Sequence, residues 1–112
     1  MDERMDAEKL CIFLLIDFQY IHFVWDEGKN RNNFRKHGVS FEEARTVFFD
    51  DKARIIHDPD HSSSEERFLL LGMSSRFRLL LVCHCYRESE EQIRIISARK
   101  ASSREARQYE RH

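Results

Sequence analysis

At 112 residues, with 41% hydrophobic and 35% charged side chains, the chain is sized for one globular domain with one modest core, which excludes both a disordered polymer and a two-core protein. Its formal net charge of −1 conceals a gradient: Lys and Arg against Asp and Glu number three to seven in residues 1–30, seven to eight in 31–75 and nine to five in 76–112, so the C-terminal third is a basic pole suited to a polyanion. Cys11, Cys83 and Cys85 are an odd set without framework spacing, the first residues are acidic, and the apolar tract Leu10–Ile16 is far shorter than the roughly 18–20 residues of a membrane span; together these point to a reducing cytoplasm and no membrane helix.

Taken in order, residues 1–9 are polar and acidic. Leu10–Phe18 reads either as an extra edge element over an apolar patch or as chain translated from a start too far upstream. The expected division is an N-terminal extension over residues 1–22 and a compact domain over 23–112. Tyr20–Trp25 is rich in strand formers. Asp26 stands where a helix N-cap would, before a polar helix over Glu27–Lys36 with Phe34 as its main apolar anchor, and Gly38 is placed to close that helix in a left-handed conformation. Its cations Lys29, Arg31, Arg35, Lys36 and His37 form a solvated face or face a ligand.

Ser40 and Glu43 have capping-box spacing, and Val39 with Ala44 that of a hydrophobic staple, so a second helix is expected from Phe41 to about Phe48 or Phe49, burying Phe41, Ala44, Val47 and Phe48. Lys52–His57 is strand-like. His57, Asp58, Asp60 and His61 suggest a metal site only superficially, since loops of this composition are ordinarily turns. Three further strands, Arg67–Leu71, Leu79–Tyr86 and Gln92–Ala98, are separated by turn regions at Gly72–Phe77 and Arg87–Glu91 and have the spacing of an antiparallel meander. Leu79–Val82 is apolar on both faces and belongs at the sheet centre. Ser102 and Glu105 form another capping box, opening a helix over about Ser103–Arg111. The fold class is α+β: a small curved antiparallel sheet with two N-terminal helices packed on one face and a C-terminal helix.

Strand alternation sets Cys83 and Cys85 on one face and His84 on the other, so they do not converge on an ion or pair as nucleophile and base. Glycine-rich phosphate loops, paired carboxylates and a nucleophile elbow are missing from the sequence. What remains is a gathering of basic and aromatic groups on the last two strands: His84, Tyr86, Arg87 and Glu88 on one, Arg94 and Arg99 on the other. Arginines clamp phosphate and an aromatic ring stacks on a base. Cleavage of an RNA phosphodiester needs a base for the 2′-hydroxyl, cations for the developing charge and an acid for the leaving 5′-oxygen. The same arginines serve equally well in salt bridges to neighbouring glutamates.

Several runs bear on that choice: Val24-Trp-Asp-Glu-Gly-Lys-Asn30, Arg35-Lys-His-Gly-Val-Ser-Phe41, Phe48-Phe49, Asp58-Pro-Asp-His-Ser62, Glu66-Arg-Phe68, Leu71-Gly72, Tyr86-Arg87 and Arg94-Ile-Ile-Ser-Ala-Arg-Lys-Ala101. In sequence and spacing they resemble the BrnT family of bacterial type II toxins, over roughly residues 23–110. The resemblance implies a RelE-like fold, metal-independent RNA cleavage that arrests translation without a cofactor, and inhibition by a cognate BrnA-like antitoxin of ribbon-helix-helix type. That antitoxin would connect the toxin to operator DNA, and the ribosome is a further expected partner. Carried over position by position, the resemblance implies a catalytic set of Arg87, Arg94 and Arg99 with Tyr86 and Glu88 beside them. Lys29, Lys36, His37, His84 and Lys100 are the accompanying RNA-binding candidates. Residues 1–22 have no counterpart in the family pattern, and Cys83-His84-Cys85 departs from it. The competing reading is a non-catalytic module that only holds an antitoxin. Direct DNA binding fits poorly, because the two early helices are joined too tightly for a helix-turn-helix.

Overall fold

A computed structural model of the chain describes residues 21–56, 67–87 and 92–110. In order these form β1 (His22–Val24), α1 (Glu27–His37), α2 (Phe41–Thr46) continued by a 3-10 turn (Val47–Phe49), β2 (Arg54–Ile56), β3 (Phe68–Met73), β4 (Leu79–Arg87), β5 (Gln92–Lys100) and α3 (Ser103–Glu110). The α+β class and the element order agree with the sequence pattern. Leu10–Phe18 and the His57–His61 loop lie outside the described residues. Among the described residues no helix is long and apolar enough to cross a membrane.

The five strands lie in the order β1-β5-β4-β3-β2. Strands β2 to β5 are the expected antiparallel meander, but β1 pairs with β5 in parallel, Phe23 opposite Ile93. The sheet is therefore mixed, a correction to the wholly antiparallel sheet expected. Alternation identifies a strand but carries no information about its neighbour. Here β1 leads into α1 and α2, which pack over β5, and the first strand of the chain lies beside the last.

One face of the sheet carries the main core. Leu70, Leu80, Val82, Ile95 and Ala98 meet Val39, Phe41, Ala44 and Val47 from the helical segment, with Phe23, Trp25, Phe48 and Ala53 at its margin. Gly72 is not in a turn, as its sequence context suggests, but within β3 and buried. A Cβ there would come within 2.8 Å of both Val47 Cγ1 and Ala53 Cβ, a separation that real side chains do not tolerate, so the missing side chain lets the 3-10 turn close onto the sheet.

Local capping follows the sequence closely. Asp26 Oδ1 accepts from the Lys29 N–H at 3.0 Å. Gly38 closes α1 at φ 71°, donating to Phe34 O at 2.7 Å. The Ser102–Glu105 box is complete, with Ser102 N donating to Glu105 Oε1 at 2.8 Å and Glu105 N to Ser102 Oγ at 3.2 Å. At α2 only half the box forms: Glu43 N donates to Ser40 Oγ, while the Glu43 carboxylate turns away to Arg78 and Ser74 Oγ.

The expected anchor of α1 is overturned. Phe34 is 54% exposed, and the buried residues of the helix are Asn30 and Asn33. Asn33 Nδ2 donates to Val39 O and to Ala98 O, both at 2.8 Å, and its Oδ1 accepts from Ala98 N at 3.1 Å. Beyond Arg94, β5 has no β1 partner, and a side-chain amide supplies the edge with the donor and acceptor a strand would have given. Asn30 Oδ1 likewise accepts from the Phe41 N–H at 2.8 Å, tying α1 to the start of α2.

An irregularity in β5 decides what its other face presents. His84 pairs with Ile95 but Cys83 pairs with Ser97, leaving Ile96 as an extra residue, a β-bulge that shifts the alternation by one. Arg94 and Arg99, five residues apart, would point to opposite faces of a regular strand. Across the bulge they share one face, opposite to that of Ile93, Ile95 and Ala98.

Candidate functional site

Register builds a basic corner on the sheet face turned away from α1 and α2. One row runs His22, Gln92, Arg87 across β1, β5 and β4, and the next runs Val24, Arg94, Cys85. Directly opposite residues share a face, so His22, Arg87 and Arg94 project together; strand spacing sets His22 about 10 Å from Arg87, with Arg94 diagonally adjacent to Arg87 at about 7–8 Å. His22 and Arg87 are exposed and Arg94 is half-buried.

The N-terminus of α1 closes this corner. The Asp26 carboxyl is held below the usual carboxylate range, first by the hydrogen bond from the Lys29 backbone and further by the charges of Lys29 and Arg94. Arg94 is thus near enough to act on Asp26, and Lys29 lies one helical turn further on. Glu27, next to Asp26, is fixed by Trp25, whose Nε1 donates to Glu27 Oε2 at 3.0 Å. In residue type this is one imidazole, two guanidiniums and an ammonium around one edge: a ring that can accept or donate a hydrogen bond beside three cations suited to phosphate oxygens.

The other candidates divide. Antiparallel pairing sends the C-terminal ends of β4 and β5 in opposite directions, so the gathering expected on the two strands is only partial. Arg99 lies opposite Leu81, six residues and about 20 Å along the strand from Arg87. Both its terminal nitrogens donate to Glu105, Nη1 to Oε1 and Nη2 to Oε2, each at 2.9 Å, which raises the Arg99 pKa and lowers that of Glu105. Lys100 is exposed on the helix-covered face opposite Leu80. Lys36 and His37 occupy the last turn of α1. Glu88 lies outside the described residues.

Tyr86 and His84 share the helix side of β4, not the side of Arg87. His84 is 0% exposed, with ring centroids of Phe48 at 4.8 Å, Tyr86 at 5.3 Å and Phe68 at 6.0 Å. Burial pushes its imidazole down to about 4 against the weak support of Val82 O at 3.4 Å. Its ring therefore offers no edge to a nucleic acid, contrary to the surface role expected for it. Cys83 and Cys85 are buried and face the side of β4 opposite to His84, as alternation requires.

His22 is the residue that sequence reasoning missed. Its strand was recognisable, but only the parallel pairing to Gln92 shows that it stands in line with Arg87. Among the described residues no group of three or more His, Cys, Asp or Glu side chains could hold a metal ion.

Comparison with known proteins agrees with this architecture. The family model for "Ribonuclease toxin, BrnT, of type II toxin-antitoxin system" matches residues 25–105. The crystal structure of the Brucella abortus ribonuclease toxin BrnT superposes with a TM-score of 0.57 at 22% identity, covering 74% of this chain and 99% of that one; at that identity the likeness is one of fold. No curated protein matches. With the family model spanning most of its length, from Trp25 just after β1 to the first turn of α3, the chain belongs to the BrnT family of ribonuclease toxins of type II toxin-antitoxin systems.

Proposed function

We propose that this chain is a RelE-like, metal-independent endoribonuclease that arrests translation and is neutralised by a cognate BrnA-like antitoxin of ribbon-helix-helix type, through which it reaches operator DNA. The observation that supports the reading best is the shared face of His22, Arg87 and Arg94 beside Lys29. In this reading the 2′-hydroxyl loses its proton to a base, its oxygen attacks the adjacent phosphorus, and the 5′-oxygen departs with a proton from an acid. Arg87, Arg94 and Lys29 balance the negative charge that builds on the phosphoryl oxygens, the role a metal would otherwise have. His22 and Glu88 are the candidates for the two proton transfers, since Tyr86 lies on the other face of β4 from Arg87 and Arg94. Arg99, committed to Glu105, acts through the fold instead.

Inducible expression with and without the neighbouring gene tests this, together with incubation of the purified chain with RNA in the presence of a chelator. Growth arrest and chelator-resistant RNA loss are expected, both relieved by the neighbour's product. Arg87→Ala in a folded protein should abolish them, and His22→Ala should slow cleavage by about 10²–10⁴-fold. A folded wild-type chain that binds its neighbour's product but leaves RNA intact would instead be a non-catalytic antitoxin-binding module.

A further inference from the structure

The turn between β3 and β4 holds an aromatic side chain where packing gives it no reason to be. Phe77 is 88% exposed and has φ 62°, a left-handed backbone conformation that disfavours a side chain with a Cβ. The turn is nevertheless firmly pinned. Ser74 N donates to Arg78 O and Phe77 N to Ser74 O, both at 2.9 Å; Ser74 Oγ accepts from Arg76 N at 3.1 Å and donates to Glu43 Oε2 at 2.7 Å; and Ser75 N donates to Thr46 Oγ1 at 2.9 Å. A strained, rigid and exposed aromatic is an observation from which function can be argued.

Its surroundings are cationic. Arg76 is exposed beside it. Arg78 Nη2 donates to Gly38 O at 3.0 Å, which brings the end of α1, with Lys36 and His37, against the turn. Ala101 N donates to Leu79 O at 2.9 Å, so Lys100 flanks it from β5. The acid that touches the turn, Glu43, is occupied by Arg78 and Ser74. Within residues 74–78 Phe77 has no large apolar neighbour of the kind that surrounds an aromatic anchor in a protein interface. A lone ring among cations matches the combination that takes unpaired nucleotides, an aromatic face for the base and positive charge for the backbone.

Helix α1 connects this turn to the basic corner. Its first turn lies by Arg94 and its end by Arg78, about 16 Å apart at 1.5 Å per residue. Between them an open groove of about 580 Å³ is lined by Asn30, Arg31, Phe34, Arg35 and Ser40. We infer that Phe77 is a stacking platform for an unpaired base of the RNA substrate, at the far end of a track that follows α1 from the basic corner. The inference rests on the ribonuclease reading and adds to it a substrate footprint: single-stranded RNA long enough to span α1.

The test is fluorescence anisotropy with the full chain and a fluorescein-labelled single-stranded oligoribonucleotide of mixed sequence, methylated at every 2′-oxygen so that it cannot be cleaved. Phe77→Gly should weaken binding about five- to a hundredfold, the loss of one base stack, while leaving the folded state as stable as before or more so, because the strained φ suits glycine and no buried surface is lost. Phe77→Trp should hold or tighten the probe, and Arg76→Ala should weaken it and flatten its salt dependence. Unchanged affinity in a folded Phe77→Gly protein overturns the inference, as does failure of the wild-type chain to bind the probe. Weakened antitoxin binding with intact probe binding would also overturn it and make the turn a protein contact. Phe77-dependent binding without cleavage of ordinary RNA would remove the catalytic reading and leave the platform standing.

Discussion

Arg54 and Arg99 stand at the two ends of one row of the sheet, Arg54, Leu71, Leu81, Arg99, and both reach over it to α3. Arg54 Nη1 donates to Gln108 O at 2.8 Å, and Arg99 binds Glu105 with both terminal nitrogens. A third tie, Tyr109 Oη donating to Asp50 Oδ2 at 2.7 Å, fixes the helix end. Helix α3 buries no residue fully, and these polar ties from β2, β5 and Asp50 hold it over the sheet. Because the Arg99–Glu105 pair is partly exposed, each substitution is expected to cost only about 0.5–1 kcal/mol. Arg54→Ala and Arg99→Ala together should speed amide exchange across residues 103–110 while the strands keep their protection. Unchanged exchange in the double variant would show that α3 is held by something else.

The amide of Asn33 is expected to matter more than any apolar side chain of α1. Asn33→Ala leaves Val39 O and both backbone groups of Ala98 without the partners they have now, at sites already closed to water. Each orphaned group costs about 1–3 kcal/mol when it stays buried, and partial relaxation puts the expected total at about 2–4 kcal/mol. Urea denaturation of Asn33→Ala against Phe34→Ala measures this: the first should lower the midpoint clearly and the second hardly at all, since Phe34 is mostly exposed. Equal effects would restore the apolar reading of the helix.

That contrast marks where the sequence stops being legible. Caps and breaks could be read because their physics is local: Asp26, Gly38, Ser40 and the Ser102–Glu105 box each act within a few residues. The capping half of Glu43 was hidden because a distant arginine, Arg78, competes for the same carboxylate and holds it below its ordinary pKa. Sheet order was hidden for the same reason, since nothing in Ile21–Val24 announces a parallel partner seventy residues away in the chain, as the pairing of His22 with Gln92 shows. The site was legible in its residue types, with Lys29, Arg87 and Arg94 named from sequence, but not in its grouping. A bulge at Ile96 places Arg94 and Arg99 on one face, and antiparallel register separates them by function: Arg94 lies beside Arg87 and Arg99 beneath α3.

His84 makes stability depend on pH in a window set by its burial. The ring is enclosed by Phe48, Phe68 and Tyr86, and its Nε2 meets no hydrogen-bond partner among the described residues, so the folded state admits the neutral form and lowers the pKa from 6.5 to about 4. The unfolded chain binds the proton first. Stability from this residue is therefore complete above about pH 6.5, falls as the pH drops and is lost on passing through about 4, by about 3 kcal/mol in all at 1.36 kcal/mol per pKa unit. Unfolding free energies measured from about pH 7.5 down to about pH 5, above the main carboxylate range, should decline in the wild type. In His84→Leu the part of that decline due to residue 84 should vanish, while stability at neutral pH holds or rises because a buried nitrogen without a partner is removed. Parallel pH curves for the two proteins would mean that His84 is charged or solvated in the folded state, and with it the aromatic enclosure on the helix side of β4 would have to be abandoned.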